Sequence, residues 1–196
     1  MLLLLLQLAS QEVVKLPEVS FKNSKSLYQA LLNRKSTRDY KKDASLSEQD
    51  LSDILWAAGG INRKEEGKYT VPAANNKLNI ITYVILKSGI YRYQPKEHQL
   101  LAVAKGDHRT LAGNQDFSHV APLNIVFVAD YTDDDRPPMY AGMHVGSMMQ
   151  NVYLAAADKN LATIARAYVD KDKLGKALKL RPRQEVLLAQ TVGPFQ

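Results

Sequence analysis

The pattern of apolar and polar positions alternates between helical and strand spacing along the chain. Apolar residues recur every three or four positions over Ser26 to Asn33 and over Leu51 to Ala58, which predicts two amphipathic helices. Met139 to Lys159 is apolar nearly all round and predicts a long buried helix, with its four methionines filling the core. Runs rich in β-branched and aromatic residues predict strands at Ile80 to Leu86, Tyr91 to Tyr93, Leu100 to Val103, Asn124 to Asp130, Ile164 to Val169 and Glu185 to Val192.

Capping signals agree with this division of the chain. Ser45 and Ser47 precede the second helix, and either can cap it because an acidic residue lies three positions on. Asp170 is expected to cap a further helix that runs through Leu180. The alternation of strands and helices favours a layered structure of the mixed α/β or the α+β class. No internal repeat or low-complexity linker interrupts residues 25–196, which are expected to form one domain.

The composition limits the chemistry. The chain has 196 residues, 45% of them hydrophobic, and no cysteine. A chain of this length can bury a sizeable core without disulfides, and the lack of cysteine excludes thiolate metal sites and a cysteine nucleophile. Redox chemistry therefore requires a cofactor. The formal net charge is +6, but the basic residues are spread along the chain and no nucleic-acid-binding signature occurs. A phosphorylated small molecule is a better candidate partner than nucleic acid.

The first ten residues, Met1 to Ser10, are mostly leucine. This run is far shorter than the roughly 20 residues that a membrane-spanning helix requires, so no integral membrane span is predicted. It resembles the apolar region of a secretory signal peptide, although the usual preceding basic residues are missing. The alternative is a short helix packed on the domain or on a partner subunit. The first interpretation implies export to the periplasm and the second a cytoplasmic protein; residues 11–24 then form an extended arm.

A basic loop is predicted at the C-terminal end of the first helix. The run Arg34-Lys35-Ser36-Thr37-Arg38 contains three cations and two hydroxyl groups. Guanidinium groups bind phosphate oxygens in a fixed fork, and hydroxyl and backbone N–H groups can complete such a site. The alternative is a solvated basic surface. By contrast, the four histidines have no metal-ligand spacing, and His144, inside the long helix, is expected to be a buried residue with satisfied hydrogen bonds.

Several short blocks occur in a fixed order along the chain. They are Thr70 to Lys77, Gly89 to Tyr93, Gln115 to Phe117, Ala121 to Asn124, Gly146 to Leu154 and Gln190 to Pro194. In this order, from about Leu27 to the C-terminus, the chain resembles the nitroreductase family of FMN-dependent oxidoreductases, and most closely its short branch with a G-x-Y-x-Y strand. The resemblance implies a central, mostly antiparallel sheet flanked by helices, with a long central helix at a dimer interface.

The resemblance also implies which residues bind the cofactor. Arg34, Lys35, Ser36 and Arg38 match the loop that grips the FMN phosphate and ribityl chain and reaches the pyrimidine ring. Asn76 matches an asparagine that hydrogen-bonds the pyrimidine edge of the flavin.

Two further segments complete the implied cofactor site. Ala73 and Ala74 fill the positions of the family's P-S-[SA] turn, so one serine contact is replaced, and Leu78 replaces a glutamine. The run Ala165-Arg166-Ala167 aligns with the strand end whose backbone N–H faces flavin N5 and O4. The cation at Arg166 is unusual there, and it is either a charge over the flavin or phosphate or a member of a surface ion pair.

The function that the resemblance implies is ping-pong transfer of reducing equivalents from NAD(P)H to a small organic acceptor such as a nitroaromatic, quinone or enone. No catalytic acid or base is demanded. The family forms homodimers with FMN at the subunit interface, and Gly142 and Gly146 allow close approach of another helix. The alternatives are an azoline-type dehydrogenase acting on modified peptides, which shares the G-x-Y-x-Y strand, and a non-catalytic flavin-binding protein.

Overall fold

A seven-stranded antiparallel sheet forms the centre of the computed structural model, which describes residues 11–196. Its strands are β1 (Val13–Lys15), β4 (Ile80–Leu86), β5 (Gly89–Gln94), β6 (Gln99–Lys105), β7 (Leu123–Asp130), β8 (Leu161–Arg166) and β9 (Gln184–Pro194), and β2 (Ile61–Arg63) pairs with β3 (Lys68–Tyr69) in a small separate hairpin. The order across the large sheet is β1-β6-β5-β4-β7-β9-β8, so β8 forms one edge. The predicted α+β class with an antiparallel sheet is confirmed.

Five α-helices accompany the sheet in the described part of the chain. They are α1 (Leu27–Asn33), α2 (Glu48–Gly59), α3 (Asp116–Val120), α4 (Met139–Asp158) and α5 (Lys171–Ala177). The predicted cap at Asp170 is confirmed, because its side chain accepts a hydrogen bond from the Lys173 N–H. Ser26, which the sequence analysis did not identify as a cap, accepts a hydrogen bond from the Gln29 N–H at the start of α1. Of the two serines ahead of α2, Ser47 is the cap.

The core lies on both faces of the two central strands. Alternate residues of a strand point to opposite sides, so β4 and β7 supply apolar side chains to two clusters. Val84 and Phe127 pack on the side that α2 and α4 cover, whereas Ile85 and Val126 pack on the side that Leu174 of α5 covers. The helix α4 therefore lies across one face of the sheet, with α2 beside it.

One face of α4 differs from the prediction of a helix buried all round. Met148 is buried, but Met139 and Met143 are 64% and 59% exposed, so they do not fill the core of this chain. A Cβ atom added at Gly142 or Gly146 would also meet open space. The sheet and α2 cover only part of the helix, and an apolar pattern cannot distinguish burial within a chain from burial by a second chain. Met139, Gly142, Met143 and Gly146 are called the exposed stripe below.

The predicted strand Ile164 to Val169 lies three residues too far along the chain. Asn160 has a left-handed backbone (φ 54°), which turns the chain sharply after α4, and β8 begins at the next residue. The strand therefore ends at Arg166. Ala167, the last member of the predicted flavin-facing run, lies just beyond the strand.

The arm that precedes α1 is attached to the sheet. Val14 of β1 pairs with Leu100 of β6, and the Pro17 carbonyl accepts a hydrogen bond from the Ser52 hydroxyl at 2.6 Å. Residues 1–10, on which the alternatives of a signal peptide and a packed helix depend, lie outside the described residues. Among residues 11–196, no helix has both the length and the apolar character needed to cross a membrane.

Because the Ser47 hydroxyl accepts a hydrogen bond from the Asp50 N–H at 3.0 Å, Ser47→Ala removes the side-chain cap of α2. We expect the free energy of unfolding to fall by about 1 kcal/mol, measured by urea denaturation. Ser45→Ala is the matched control, because Ser45 is exposed and does not cap the helix. This substitution should change the free energy of unfolding by less than about 0.5 kcal/mol. Equal effects of the two substitutions would contradict the assignment of the cap.

Candidate functional site

The basic loop runs from the end of α1 to the free edge of β8. Arg34 is the C-cap of α1, and its N–H donates to the Ala30 carbonyl at 2.9 Å. Three residues later the Thr37 N–H donates to the Thr163 carbonyl at 3.0 Å, on the edge of β8 that β9 does not occupy. The loop is thereby fixed at both ends, with Lys35, Ser36 and Arg38 exposed.

Tyr153 of α4 joins the loop to the strand. Its hydroxyl lies 2.8 Å from the Ser36 Oγ and accepts a hydrogen bond from the Ala165 N–H at 3.0 Å. Its ring lies beneath Arg34, whose guanidinium carbon is 5.3 Å from the ring centroid. Tyr153 therefore contacts the loop with both its face and its hydroxyl group.

The cations of the loop lie over aromatic rings and have no acidic partner in the described part of the chain. Arg34 lies over Tyr153, the Lys35 ammonium is 5.1 Å from the Phe195 centroid, and the Arg38 guanidinium is 6.0 Å from the Phe117 centroid. None of the three takes part in an ion pair within residues 11–196. An aromatic face orients a cation without neutralising it, so the loop keeps its positive charge. A cleft of about 420 Å³ beside it is lined by Lys35, Tyr153 and Phe195 among others.

Arg166 lies beneath this surface rather than on it. Its side chain is 8% exposed, and its guanidinium donates to the Asn124 Oδ1 at 2.7 Å, to the Thr191 Oγ1 at 2.8 Å and to the Ala112 carbonyl. A Cβ atom at the neighbouring Gly113 would collide with the guanidinium, so Arg166 could not keep this position beside a larger residue there. Burial lowers the pKa of Arg166 to about 10, so it stays charged near neutral pH.

The buried position of Arg166 excludes one of the two interpretations of its charge. All its hydrogen-bond acceptors are neutral, so the interpretation as a surface ion pair is wrong. The guanidinium instead lies 5.7 Å from the centroid of Phe117, the same ring that Arg38 covers. Two cations on one ring, without a carboxylate, raise the positive potential beneath the basic loop.

The end of β8 turns N–H groups toward the same surface. Ala165 directs its N–H away from β9 and toward Tyr153. Because backbone groups alternate in direction along an antiparallel strand, the Ala167 N–H also points away from β9, and it makes no hydrogen bond within residues 11–196. The run Ala165-Arg166-Ala167 therefore contributes backbone groups to the surface and one buried side chain beneath it.

The predicted turn at Ala73, Ala74 and Asn76 lies at the other end of α4. The Ala74 N–H donates to the His144 Nε2 at 3.1 Å, and the Ala74 carbonyl accepts from the Arg136 Nη1 at 2.6 Å. His144 is buried, as the sequence predicted.

The turn and the basic loop contact α4 on opposite faces. His144 and Tyr153 are nine residues apart, which is about 13.5 Å along the axis and half a turn around it in an ideal helix. One chain therefore brings the basic loop and the β8 end together, but it holds the turn on the far side of α4.

Comparison with known proteins agrees with this architecture. The family model described as the nitroreductase family matches residues 31–194. The chain belongs to the nitroreductase family. A Methanocaldococcus jannaschii protein provisionally named a nitroreductase is 30% identical, with 96% of this chain and 95% of that protein covered. A crystal structure from Ralstonia eutropha, also provisionally named a nitroreductase, is 34% identical with a TM-score of 0.88 and covers 96% of this chain and 91% of that one.

A more distant relative shares the nitroreductase fold. A chain of the E. coli microcin synthetase complex, solved with a truncated pro-peptide bound, has a TM-score of 0.71 at 19% identity and covers 96% of this chain and 79% of that chain. At this identity the likeness establishes the fold alone. Membership of the nitroreductase family itself supports an oxidoreductase that works with a flavin.

Sequence reasoning missed several residues that shape this nitroreductase surface. Tyr153 carries a polar group on an otherwise apolar helix, and such a group normally needs a buried partner, which was the available signal. Phe117, Phe195 and Arg136 gave no comparable signal. Phe117 and Phe195 lie beside the loop only after α3 and the C-terminal end of β9 pack against it.

The buried position of Arg166 predicts a large loss of stability on its removal. Arg166→Met leaves the Asn124, Thr191 and Ala112 acceptors without this donor, so the free energy of unfolding should fall by about 2 kcal/mol or more. Arg38→Met removes a cation from the same ring at an exposed position and should change it by less than about 0.5 kcal/mol. Denaturant unfolding of both variants measures the difference, and similar losses would argue against the buried network.

Proposed function

We propose that this protein is an FMN-dependent oxidoreductase that transfers reducing equivalents from NAD(P)H to a small organic acceptor, such as a nitroaromatic, quinone or enone, in ping-pong order. The observation that carries the proposal is the set of three cations, Arg34, Lys35 and Arg38, each held over an aromatic ring and none of them in an ion pair among residues 11–196. Membership of a family that works with flavins supports the choice of ligand.

The chemistry of the basic loop fits the phosphate of FMN. A phosphate monoester dianion needs at least two positive partners, and charge-assisted hydrogen bonds to it are about twice as strong as neutral ones. Arg34, Lys35 and Arg38 supply the charge in this proposal, and the Ser36 hydroxyl supplies a further donor toward the phosphate or ribityl chain. When bound, the isoalloxazine ring supplies the hydride chemistry.

The outward N–H groups of Ala165 and Ala167 fit the edge of the flavin that becomes electron-rich on reduction. A fixed backbone donor stabilises developing negative charge without a titrating side chain. The Ala165 N–H is bonded to Tyr153, whereas that of Ala167 is available. In this proposal the chain need not contribute a catalytic acid or base.

A homodimer with FMN at the subunit interface would unite the separated parts of the site. The turn that holds Asn76 lies on the far side of α4 from the basic loop. A second copy packed on the exposed stripe would carry its own turn toward this chain's loop. Asn76 and the Ala73-Ala74 backbone would then contact the pyrimidine edge of the flavin in the neighbouring half-site.

Flavin retention and NAD(P)H oxidation by the purified protein also test two alternative functions. The G-x-Y-x-Y strand, Gly89 to Tyr93, keeps an azoline-type peptide dehydrogenase as an alternative. A flavoprotein that oxidises NADH or NADPH with a free quinone supports the proposed reductase. Retained flavin without NAD(P)H oxidation favours the peptide dehydrogenase or a non-catalytic flavin-binding protein. Oxidation of an azoline peptide by the flavin-loaded protein would then identify the peptide dehydrogenase.

Arg38→Ala should abolish FMN retention without unfolding the protein, because Arg38 is exposed and its loss removes one cation from the basic loop. After addition of excess FMN and desalting, the visible spectrum should show about one FMN per chain for the wild type, and the variant should bind at least about tenfold more weakly. Arg92→Ala removes an exposed arginine on β5 and is the matched control. Full occupancy in Arg38→Ala would remove the main argument for the site.

Met143→Glu should prevent dimer formation, because it places a charge in the middle of the exposed stripe. We expect the mass from light scattering to fall from that of two chains to that of one. FMN retention should fall as well. Val13→Glu, at a 46% exposed apolar position on β1, adds the same charge away from the stripe and should leave the dimer intact. A dimeric Met143→Glu protein would show that α4 does not form the interface.

A further inference from the structure

The turn that carries Asn76 has an unusual backbone. Asn75 and Asn76 both have left-handed conformations, with φ of 54° and 57°. Single asparagines adopt this conformation more readily than most residues, but two in succession are unfavourable without additional contacts. The turn therefore depends on groups outside it to keep its shape.

One of these groups is Arg136, which holds the carbonyl side of the turn. Its guanidinium donates to the Ala74 carbonyl at 2.6 Å and to the Lys77 carbonyl at 2.9 Å. Asp134 fixes the guanidinium through two hydrogen bonds at 2.6 and 2.7 Å. These contacts restrain the carbonyl groups on both sides of the left-handed pair.

The other group is His144, which holds the N–H side. Its Nε2 accepts the Ala74 N–H at 3.1 Å, so this nitrogen carries no proton. Its Nδ1 lies 2.8 Å from the Asn79 Oδ1, a carbonyl oxygen that can only accept, so Nδ1 carries the proton. The two contacts define one neutral tautomer, in a side chain that is 3% exposed.

We propose that neutral His144 is a positioning residue that holds the left-handed turn through the Ala74 N–H and thereby presents Asn76 to the flavin. This inference rests on the proposed function, in which Asn76 contacts the pyrimidine edge of FMN. The inference adds a requirement for FMN binding that does not involve the basic loop. Binding by the turn depends on the protonation state of a residue that does not touch the ligand.

Protonation of His144 replaces the acceptor that faces the Ala74 N–H with a second donor. The charged groups that act on the His144 ring are Arg136 and Asp134, which lie in the loop before α4. The hydrogen-bond partners of the ring, Ala74 and Asn79, are neutral. Burial, aided by Arg136, lowers the pKa of His144 below its usual value. The contribution of His144 to stability is therefore present above its unfolded pKa near 6.5 and is lost as the pH falls.

The test measures FMN affinity between pH 5 and pH 7.5 in wild type, His144→Gln and His144→Phe. Glutamine can still accept the Ala74 N–H but does not titrate in this range, whereas phenylalanine offers no acceptor. His98→Gln is the matched control, because His98 is also hydrogen-bonded through both ring nitrogens but lies beside the arm. The phosphate of FMN itself titrates near pH 6, so each profile is compared with that of His144→Gln.

We expect the wild-type dissociation constant to rise more steeply than that of His144→Gln as the pH falls below the usual pKa of histidine. His144→Phe should bind about tenfold more weakly than wild type already at pH 7.5. His98→Gln should keep the wild-type profile. Unchanged affinity in His144→Phe, or a wild-type dissociation constant that rises less than that of His144→Gln, would overturn the inference.

Amide hydrogen exchange separates this inference from the proposed function. In the flavin-free protein at a fixed pH of 7.5, the Ala74 amide should exchange at least about tenfold faster in His144→Phe than in wild type or His98→Gln. Equal exchange rates would overturn the positioning role even if FMN binds. Failure of the wild type to bind FMN would instead overturn the proposed function, and with it the presentation of Asn76 to flavin.

Discussion

The buried guanidinium of Arg166 is the interaction on which the site surface depends. A charged group this far from solvent must be hydrogen-bonded, and its acceptors come from three separate segments, at Ala112, Asn124 and Thr191. These contacts fix the platform on which the basic loop lies. The Tyr40 hydroxyl donates to the Thr191 carbonyl at 3.2 Å and attaches the end of the loop to the same platform.

The absence of an acidic partner for Arg166 within residues 11–196 matters as much as its hydrogen bonds. Neutral acceptors satisfy the N–H groups but leave the charge in place, and Arg38 lies over the same aromatic ring. Cations gathered in this way repel one another at partly desolvated distances. An anion bound at the loop, as proposed, would relieve that repulsion.

Periodicity was sufficient to predict most of the helices and strands, because each imposes a regular spacing on apolar residues. The antiparallel arrangement of the sheet was implied only by the resemblance to the nitroreductase family. Periodicity failed for α4, because an apolar helix face is typical both of burial within one chain and of burial by a second chain. The pattern therefore did not predict that Met139 and Met143 are exposed in this chain. The basic loop could be identified from its charge alone. The role of Arg166 could not, because Asn124 and Thr191 are distant in sequence and meet it only through the pairing of β7, β8 and β9. The same applies to His144, since its partners Ala74 and Asn79 lie outside its own helix.

The geometry of α4 restricts how two copies can complete the proposed site. If two copies pack through Gly142 and Gly146, the helices run either parallel or antiparallel. In a parallel pair each Tyr153 meets the same end of the other helix, and both turns stay distant from both basic loops. In an antiparallel pair, Tyr153 would lie opposite the start of the other helix, which is the end that contacts the turn. Only the antiparallel arrangement brings the basic loop of one copy close to the Asn76 turn of the other. The proposed cofactor site therefore requires antiparallel packing of the two α4 helices.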